Sequence, residues 1–469
     1  MKRPNILLIH TDQQRGDCLG IEGHPVLETP NMDNLALNGV RFSRFYSACP
    51  SCIASRRSIL TGQSPQKHGI VGYRDGVEFD APTLPGILRE NGYQTYHIGR
   101  SMHQFPPRKL YGFDDMELVA GAQANYFSEY KEWFEENGPR GSKNQGTYGV
   151  GITHNDWTAR PWHMDEHLHP SNWTVERALR FFKRKDPTKP FFLSLGFIAP
   201  HPPLQPPQFY FDRYMRLGVP EPFIGKWADK NWGNMQDHIA PDKVVLNEEE
   251  MRTARAAYYG SINHVDDLLR RIFNPVGGNI LNDTIVVFTS DHGEMLGDHY
   301  MWRKSRAYKG SARTPFIITA PKEFKFEPGG CIDQVATHHD IMPTLLDMLE
   351  IATPGSVDGK SLYPLLRGEK IKLRDYLHIE HAPYHQCLTD GKKKFIWRPE
   401  NGHEQFFDLE IDPCELHNAI HDQNCDKEIN NWRKLLIKEL QTRPEGFVQN
   451  GTLVPGKKYK ALIPHKSKL

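Results

Sequence analysis

Ser51-Cys52-Ile53-Ala54-Ser55-Arg56-Arg57-Ser58-Ile59-Leu60-Thr61-Gly62 reads as a short turn that delivers a cysteine to the start of a helix. The open amides at a helix start and a guanidinium one turn on, from Arg56, both favour an anion. They lower the pKa of a thiol or hold an oxyanion. That makes Cys52 a candidate nucleophile. A lone cysteine is otherwise a small packing residue, so the rest of the chain has to decide.

Upstream, residues 4–9 are a short continuous apolar run of the kind found in strands buried on both faces, and it ends at Asp12-Gln13. Three later runs also read as strands. Residues 93–98 end at Gly99-Arg100-Ser101-Met102-His103, residues 190–197 at Pro200-His201-Pro202-Pro203, and residues 284–289 at Ser290-Asp291-His292-Gly293-Glu294. Residues 40–45 read as a further strand leading to the Cys52 turn. Helices are expected from residue 30, over 84–91 and 173–185, and over 248–273, the longest. Strands alternating with helices imply an α/β layered fold, in which ligands gather at the carboxyl ends of the strands. Residues 115–170 are aromatic and irregular, an insertion over a site rather than a domain.

Composition shifts near residue 370. Short strands at 376–380, 386–389, 394–398 and 404–408 and a helix over 427–440 predict a smaller α+β domain with an antiparallel sheet. The expected division is 1–370 and 371–469, in keeping with a length above what one core holds. The tail after Pro444 is Gly-, Pro- and Lys-rich and is expected to lie over the surface.

Asp12 and Gln13 end one strand and Asp291 and His292 another, so four side chains can converge on one point. Three oxygen ligands and an imidazole suit a hard or borderline divalent cation. A single Asp-His pair at a loop is as often a turn or capping residue; two pairs with a motif cysteine are not easily read that way.

The string Cys-x-Ala-Ser-Arg-x-x-x-Leu-Thr-Gly at 52–62 resembles the sulfatase signature, whose cysteine is oxidised to formylglycine by a maturase. The resemblance runs on through Asp291-His292, Gly310 to Pro315, His338 to Leu345 and Glu404 to Pro413, nearly the whole chain. It implies an alkaline phosphatase-like fold: a large mixed sheet sandwiched by helices, with a smaller C-terminal α+β domain. It implies a metal held by Asp12, Gln13, Asp291, His292 and the modified Cys52, with Ca2+ the family default and Mn2+ or Mg2+ as alternatives. Arg56 would hold the formylglycine hydrate. His201 and Lys304 match family residues that bind the sulfate and protonate the leaving alcohol, and His103 matches the base acting on the hydrate.

Three departures matter. Ala54 stands where most members carry Pro. The metal set is Asp-Gln and Asp-His, not Asp-Asp and Asp-Asn, a variant similar to choline sulfatases, phosphonate monoester hydrolases and some carbohydrate sulfatases. Gly99-Arg100-Ser101-Met102-His103 has one residue more than the family Gly-Lys-x-His, so either Arg100 or Ser101 takes the lysine position. Arg100, Arg108 and Lys109 read as a cationic cluster for an anionic substrate, such as a sulfated or uronate-bearing sugar, and the Arg-Ser-Met-His variant resembles bacterial glycosaminoglycan sulfatases acting on an unsaturated-uronate 2-O-sulfate. Choline sulfate and a phosphonate monoester or phosphodiester are the rival substrates within the fold, and a non-catalytic metal- or sugar-binding protein is the rival outside it. His338 and His339 are expected to be structural.

The net charge of +1 gives no general drive toward nucleic acid or acidic membranes. The seven scattered cysteines do not form a disulfide framework or a four-cysteine zinc site. The apolar run at 6–9 is too short for a signal peptide, and no stretch is long enough to span a bilayer. As written, the chain is expected in the cytoplasm, or in the periplasm if an export signal has been trimmed. Ser467-Lys468-Leu469 spells a peroxisomal address, read here as chance.

Overall fold

The computed structural model describes residues 3–119, 128–139, 155, 157–229, 243–274 and 280–463. The 467–469 tripeptide and much of the 115–170 segment lie outside them. Eight strands form the main sheet: β1 (Asn5–Asp12), β2 (Val40–Phe42), β3 (Gln94–Arg100), β4 (Asp115–Val119), β5 (Phe191–Pro200), β6 (Thr284–Ser290), β7 (Phe316–Thr319) and β8 (Gly330–Ile332). Their order is β4-β3-β5-β1-β6-β7-β2-β8. The first five in that order are parallel. β7 runs antiparallel to β6 and β2, and β8 is parallel to β2. The sheet is therefore mixed, as the resemblance implied. The expected single strand over 40–45 is broken: β2 ends at Phe42, and Phe45–Tyr46 pair instead with Ala336–Thr337.

β1 alternates strictly. Leu7 and Ile9 enter a core on one face, with α1 (Pro30–Leu37), α3 (Pro170–Arg184) and α4 (Glu248–Phe273). Ile6 and Leu8 enter a second core on the other face, with α2 (Cys52–Thr61) and α5 (Ile341–Met348). Both faces are covered, which is why the sequence of β1 reads as a continuous apolar run. β1 lies between β5 and β6, so connections leave it in both directions, and the crevice at its carboxyl end is a topological switch point.

α2 is buried at every position. Gly62 ends it at φ 63°, where a Cβ would stand 2.9 Å from Val357 Cγ1. Glycine is needed there for both conformation and space. α4 is the longest helix. It carries a capping box between Asn247 and Glu250, three glutamates in its first turn and Arg270 and Arg271 in its last, each matching the helix dipole.

The second sheet is antiparallel: β9 (Leu377–His381), β10 (His385–Thr389), β11 (Lys393–Trp397) and β12 (Glu404–Asp408), covered by α6 (Asp426–Leu440) through Ile429, Trp432 and Leu436. The tail after Pro444 does not merely lie on the surface. Phe447, Tyr459 and Ile463 are buried. Val71 donates its amide to Ala461 O (2.9 Å) and Ile463 to Gly69 O (2.8 Å), while Tyr459 Oη donates to buried Glu380 (2.8 Å). The aromatic residues of an otherwise polar tail carry this packing.

All seven cysteines are free thiols. No helix among the described residues is long and apolar enough to cross a membrane.

Many histidines are buried as neutral groups. Burial pushes His97 and His338 down to about 4 and His381 to about 3, and holds His68, His169 and His385 well below the usual value. Below about pH 6.5 such a residue binds a proton in the unfolded chain and not in the folded one. Its contribution to stability is full above that pH and falls as the pH drops toward the folded value, by about 1.4 kcal/mol per unit per residue. We expect thermal midpoints to fall steeply from pH 6.5 to 4.5; a flat profile over that range would show that these groups are not held neutral.

Candidate active site

Four loops meet at the carboxyl ends of the parallel strands. At the tip of β1 the chain turns sharply, with Gln13 in the left-handed region at φ 75°. The turn is clamped from both sides. Tyr258 of α4 donates its hydroxyl to Gln13 O (2.6 Å) and accepts from the Arg15 amide (3.0 Å), and Ser290 Oγ accepts from the Gln14 amide (2.8 Å). Gln13 also donates its amide to Asp291 Oδ1 (3.1 Å), which ties the β1 tip to the β6 tip.

Cys52 opens α2 and is 3% exposed. Its Sγ lies 3.7 Å from Asp12 Oδ1 and 3.1 Å from His292 Nε2. His292 Nδ1 donates to Gly293 O (2.9 Å). That fixes the tautomer and turns the Nε2 lone pair toward Cys52. Arg56, one turn along α2 and fully buried, places Nη2 3.2 Å from Asp12 Oδ2 and 2.9 Å from Asp291 Oδ2.

Arg100 turns inward and donates Nε to Asp12 Oδ2 at 2.7 Å. The backbone allows it because Gly99, at φ 99°, passes so close to β5 that a Cβ would stand 2.0 Å from Gly196 O. Ser101 Oγ sits 3.4 Å behind, on Arg100 Nη1, so it is the Arg100 side chain that enters the site. His103, at φ 54°, faces Arg100 Nη2 at 3.5 Å and Asp75 at 3.9 Å, on the rim.

Lys304 Nζ completes the opposite wall. It donates to Gln13 Oε1 (2.9 Å) and contacts His201 Nε2 (2.8 Å). His201 Nδ1 donates to Pro202 O (2.6 Å), so its Nε2 accepts from the lysine. Burial opposes the ionisation of Asp12. The positive charge at His201, Arg100, Arg56 and Lys304 outweighs it and holds that carboxyl well below the usual range. Burial lowers His292, with Asp291 opposing and Lys304 assisting.

A ligand set is present. Asp12, Cys52, Asp291 and His292 each bring a ligand atom within 4.8 Å of the others. Asp291 Oδ2 is buried and accepts no hydrogen bond, facing only the Arg56 charge among the described contacts. Two carboxylates, one imidazole lone pair and residue 52 fit a divalent cation. Gln13 adjoins them. Its amide is held at both ends, with Nε2 donating to Glu294 and Oε1 facing Lys304.

Several residues had no signal in the sequence. Glu294 accepts from Gln13 and from the amides of Leu296 and Arg303, and so orients the amide of Gln13. Beneath the arginines runs a buried chain. Arg56 Nη1 donates to His10 Nδ1 (3.1 Å), His10 Nε2 to Ser194 Oγ (3.4 Å), Ser194 to His97 Nδ1 (3.1 Å), and His97 Nε2 to Arg100 O (3.0 Å). Each link fixes the tautomer of the next. One expectation is corrected: Arg100, Arg108 and Lys109 form no common cluster. Arg108 pairs with Glu129 and Lys109 with Glu78, on the outside of the molecule, where carboxylates within reach neutralise them. His338 is structural as expected, donating Nε2 to Ser290 O (2.7 Å) at the β6 tip.

A family model described as sulfatase matches residues 4–351, and one described as the C-terminal region of N-sulphoglucosamine sulphohydrolase matches residues 297–443. An arylsulfatase of Clostridium perfringens is 43% identical over 474 residues, covering 97% of this chain and 98% of the relative. The crystal structure of the phosphonate monoester hydrolase of Agrobacterium radiobacter has a TM-score of 0.78 at 25% identity, covering 93% of this chain and 95% of that one. A structure in complex with its substrate D-glucosamine-2-N,6-O-disulfate shares the fold with a TM-score of 0.73 at 22% identity, covering 94% and 98%. The fold is that of the alkaline phosphatase-like superfamily, and the chain belongs to the sulfatase family within it. It is a type I sulfatase, a hydrolase of sulfuric esters.

Proposed function

We propose that the chain releases sulfate from a sulfated sugar or glycosaminoglycan fragment, a uronate 2-O-sulfate among them, with formylglycine made from Cys52 by a maturase as the nucleophile. One observation carries the reading: the residue at the start of α2 stands against Asp12, Asp291 and His292 with Arg56 behind it. Asp12, Asp291 and His292, with Gln13 beside them, would hold a divalent cation, Ca2+ by family habit. Such a cation supplies Lewis-acid charge beside the nucleophile. Arg56 and Arg100 keep Asp12 ionised and add positive charge where the sulfate oxygens gather. Lys304 binds the sulfate, and the proton it shares with His201 goes to the leaving alcohol. His103, on the rim, takes the proton of the second hydroxyl of the hydrate, so that sulfate is expelled and the aldehyde reforms.

The sugar class is supported by the second family match, whose description names a sugar sulfohydrolase. A phosphonate monoester is the second reading, favoured by the likeness to a phosphonate monoester hydrolase and by the Asp-Gln and Asp-His pairs. The test is sulfate release from a panel of defined sulfated sugars, choline sulfate and a phosphonate monoester, with enzyme co-expressed with a maturase and the mass of the residue-52 peptide verified. Release from one sugar is expected. Turnover of only choline sulfate or the phosphonate would replace the sugar reading.

A further inference from the structure

The two arginines that face Asp12 come from separate elements: Arg56 from α2 and Arg100 from the end of β3. Beneath the site they are joined by the hydrogen bonds through His10, Ser194 and His97, which lie on the neighbouring parallel strands β1, β5 and β3. His97 pairs in register with Ser194, and His10 with Gly196, two residues further along β5. All three side chains therefore leave the same face of the sheet. The direction of every bond is forced from the two ends. A guanidinium only donates, so His10 Nδ1 accepts from Arg56 Nη1 (3.1 Å). A neutral ring with an accepting Nδ1 carries its proton on Nε2, which donates to Ser194 Oγ (3.4 Å). At the other end the Arg100 carbonyl only accepts, so His97 Nε2 donates to it (3.0 Å) and His97 Nδ1 accepts from the Ser194 hydroxyl (3.1 Å). The two derivations meet at Ser194 without conflict, since a hydroxyl takes one proton and gives another.

Asp12 closes the circuit above. Its Oδ2 faces Arg56 Nη2 at 3.2 Å and accepts from Arg100 Nε at 2.7 Å. The chain below has little room to move. His10, Ser194 and His97 are all buried, and the two imidazoles lie within 3° of parallel with their centres 6.0 Å apart. A Cβ on residue 196 would stand 2.5 Å from His10 Cε1 and 3.0 Å from the Arg100 carbonyl oxygen. Glycine there makes room for the first ring and for the last acceptor of the chain at once.

We propose that His10, Ser194 and His97 are positioning residues of the sulfatase reaction: by holding Arg56 at Nη1 and Arg100 at its carbonyl, they set the two guanidiniums as one unit around the sulfate. This rests on the reading above, in which both arginines meet the sulfate oxygens. Donors aimed in advance at developing charge need no reorganisation when it forms, and the partners behind them do the aiming. None of the three residues touches substrate. Each acts through an arginine, and breaking the chain at Ser194 releases both ends together.

The test is calorimetric titration of the full-length Cys52→Ala protein with inorganic sulfate, repeated with Ser194→Ala and with His10→Asn in the same background. The asparagine keeps an acceptor for Arg56 where Nδ1 stood and reaches no further, so it cuts the chain without stripping the guanidinium. Each variant is expected to bind sulfate about tenfold more weakly, the low end of what losing a supporting partner costs a site. Affinity that survives either substitution, even with a lowered thermal midpoint, would show residues that serve packing alone; it would overturn the proposal and leave both arginines at the sulfate. Neutron diffraction from perdeuterated crystals of the parent needs no variant to fold. Deuterium is expected on Nε2 of both rings, with the Ser194 hydroxyl pointing at His97, and deuterium on Nδ1 of either ring would overturn the chain. If the parent binds no sulfate, the reading that both arginines meet it fails, and the proposal with it.

Discussion

Cys52→Ala will lower sulfate release by about 10⁴-fold or more, the scale seen when a covalent nucleophile is removed. The substitution removes only the atoms beyond Cβ of residue 52, at the start of a helix buried at all its positions, and leaves Asp12, Asp291, His292 and Arg56 in place. Alanine is a good helix residue, so the thermal midpoint should move little. The measurement is single-turnover sulfate release alongside a melting curve. Release within tenfold of wild type would show that water, not residue 52, attacks sulfur. A collapse in stability would show that the loss is one of folding.

Arg56→Met is the second large effect, and it should appear in stability as well as in turnover. Arg56 is fully buried between Asp12 and Asp291. Methionine fills much of the volume but leaves two buried carboxylates facing each other, eased by Arg100, His201 and Lys304 on the Asp12 side. Breaking a buried ion pair from one side costs about 3–5 kcal/mol. The loss should be largest in chelator and smaller in millimolar Ca2+, because a cation at the same carboxylates replaces part of the missing charge. Melting curves with and without Ca2+ test this. A variant as stable as wild type in chelator would show that the carboxylates take up protons instead.

The ligand-bearing strand tips could be read in the sequence because each follows a strand buried on both faces. Such a strand is a short apolar run, and the first polar residues after it mark its end. Asp12-Gln13, Asp291-His292 and His201 were found that way, and Cys52 by its motif. What escaped depends on contacts between distant segments. Whether Arg100 or Ser101 enters the site turns on how closely Gly99 passes Gly196, which no local pattern encodes. Tyr258 lies 245 residues from Gln13, whose carbonyl it holds, and sits mid-helix among other buried residues. The buried chain from His10 through Ser194 to His97 consists of inward-facing polar residues on three strands, each unremarked alone. Arg108 and Lys109 misled because proximity in sequence to Arg100 says nothing about which side of a loop a side chain leaves. The short strands β7 and β8 and the aromatic anchors of the tail were missed for the same reason.

The pairing of Gly69 and Val71 with Ala461 and Ile463 sets a clock. The chain just after α2 gains these bonds only when residues 461–463 have been made, and Ala48 and Val71 likewise wait for β9 and the turn that follows it. At roughly 5–20 residues per second, synthesis takes roughly 20–80 s to travel from one side of that seam to the other. Through that interval the start of α2 lacks the side chain of Leu462, which packs against Cys49, Ile53 and Ala54.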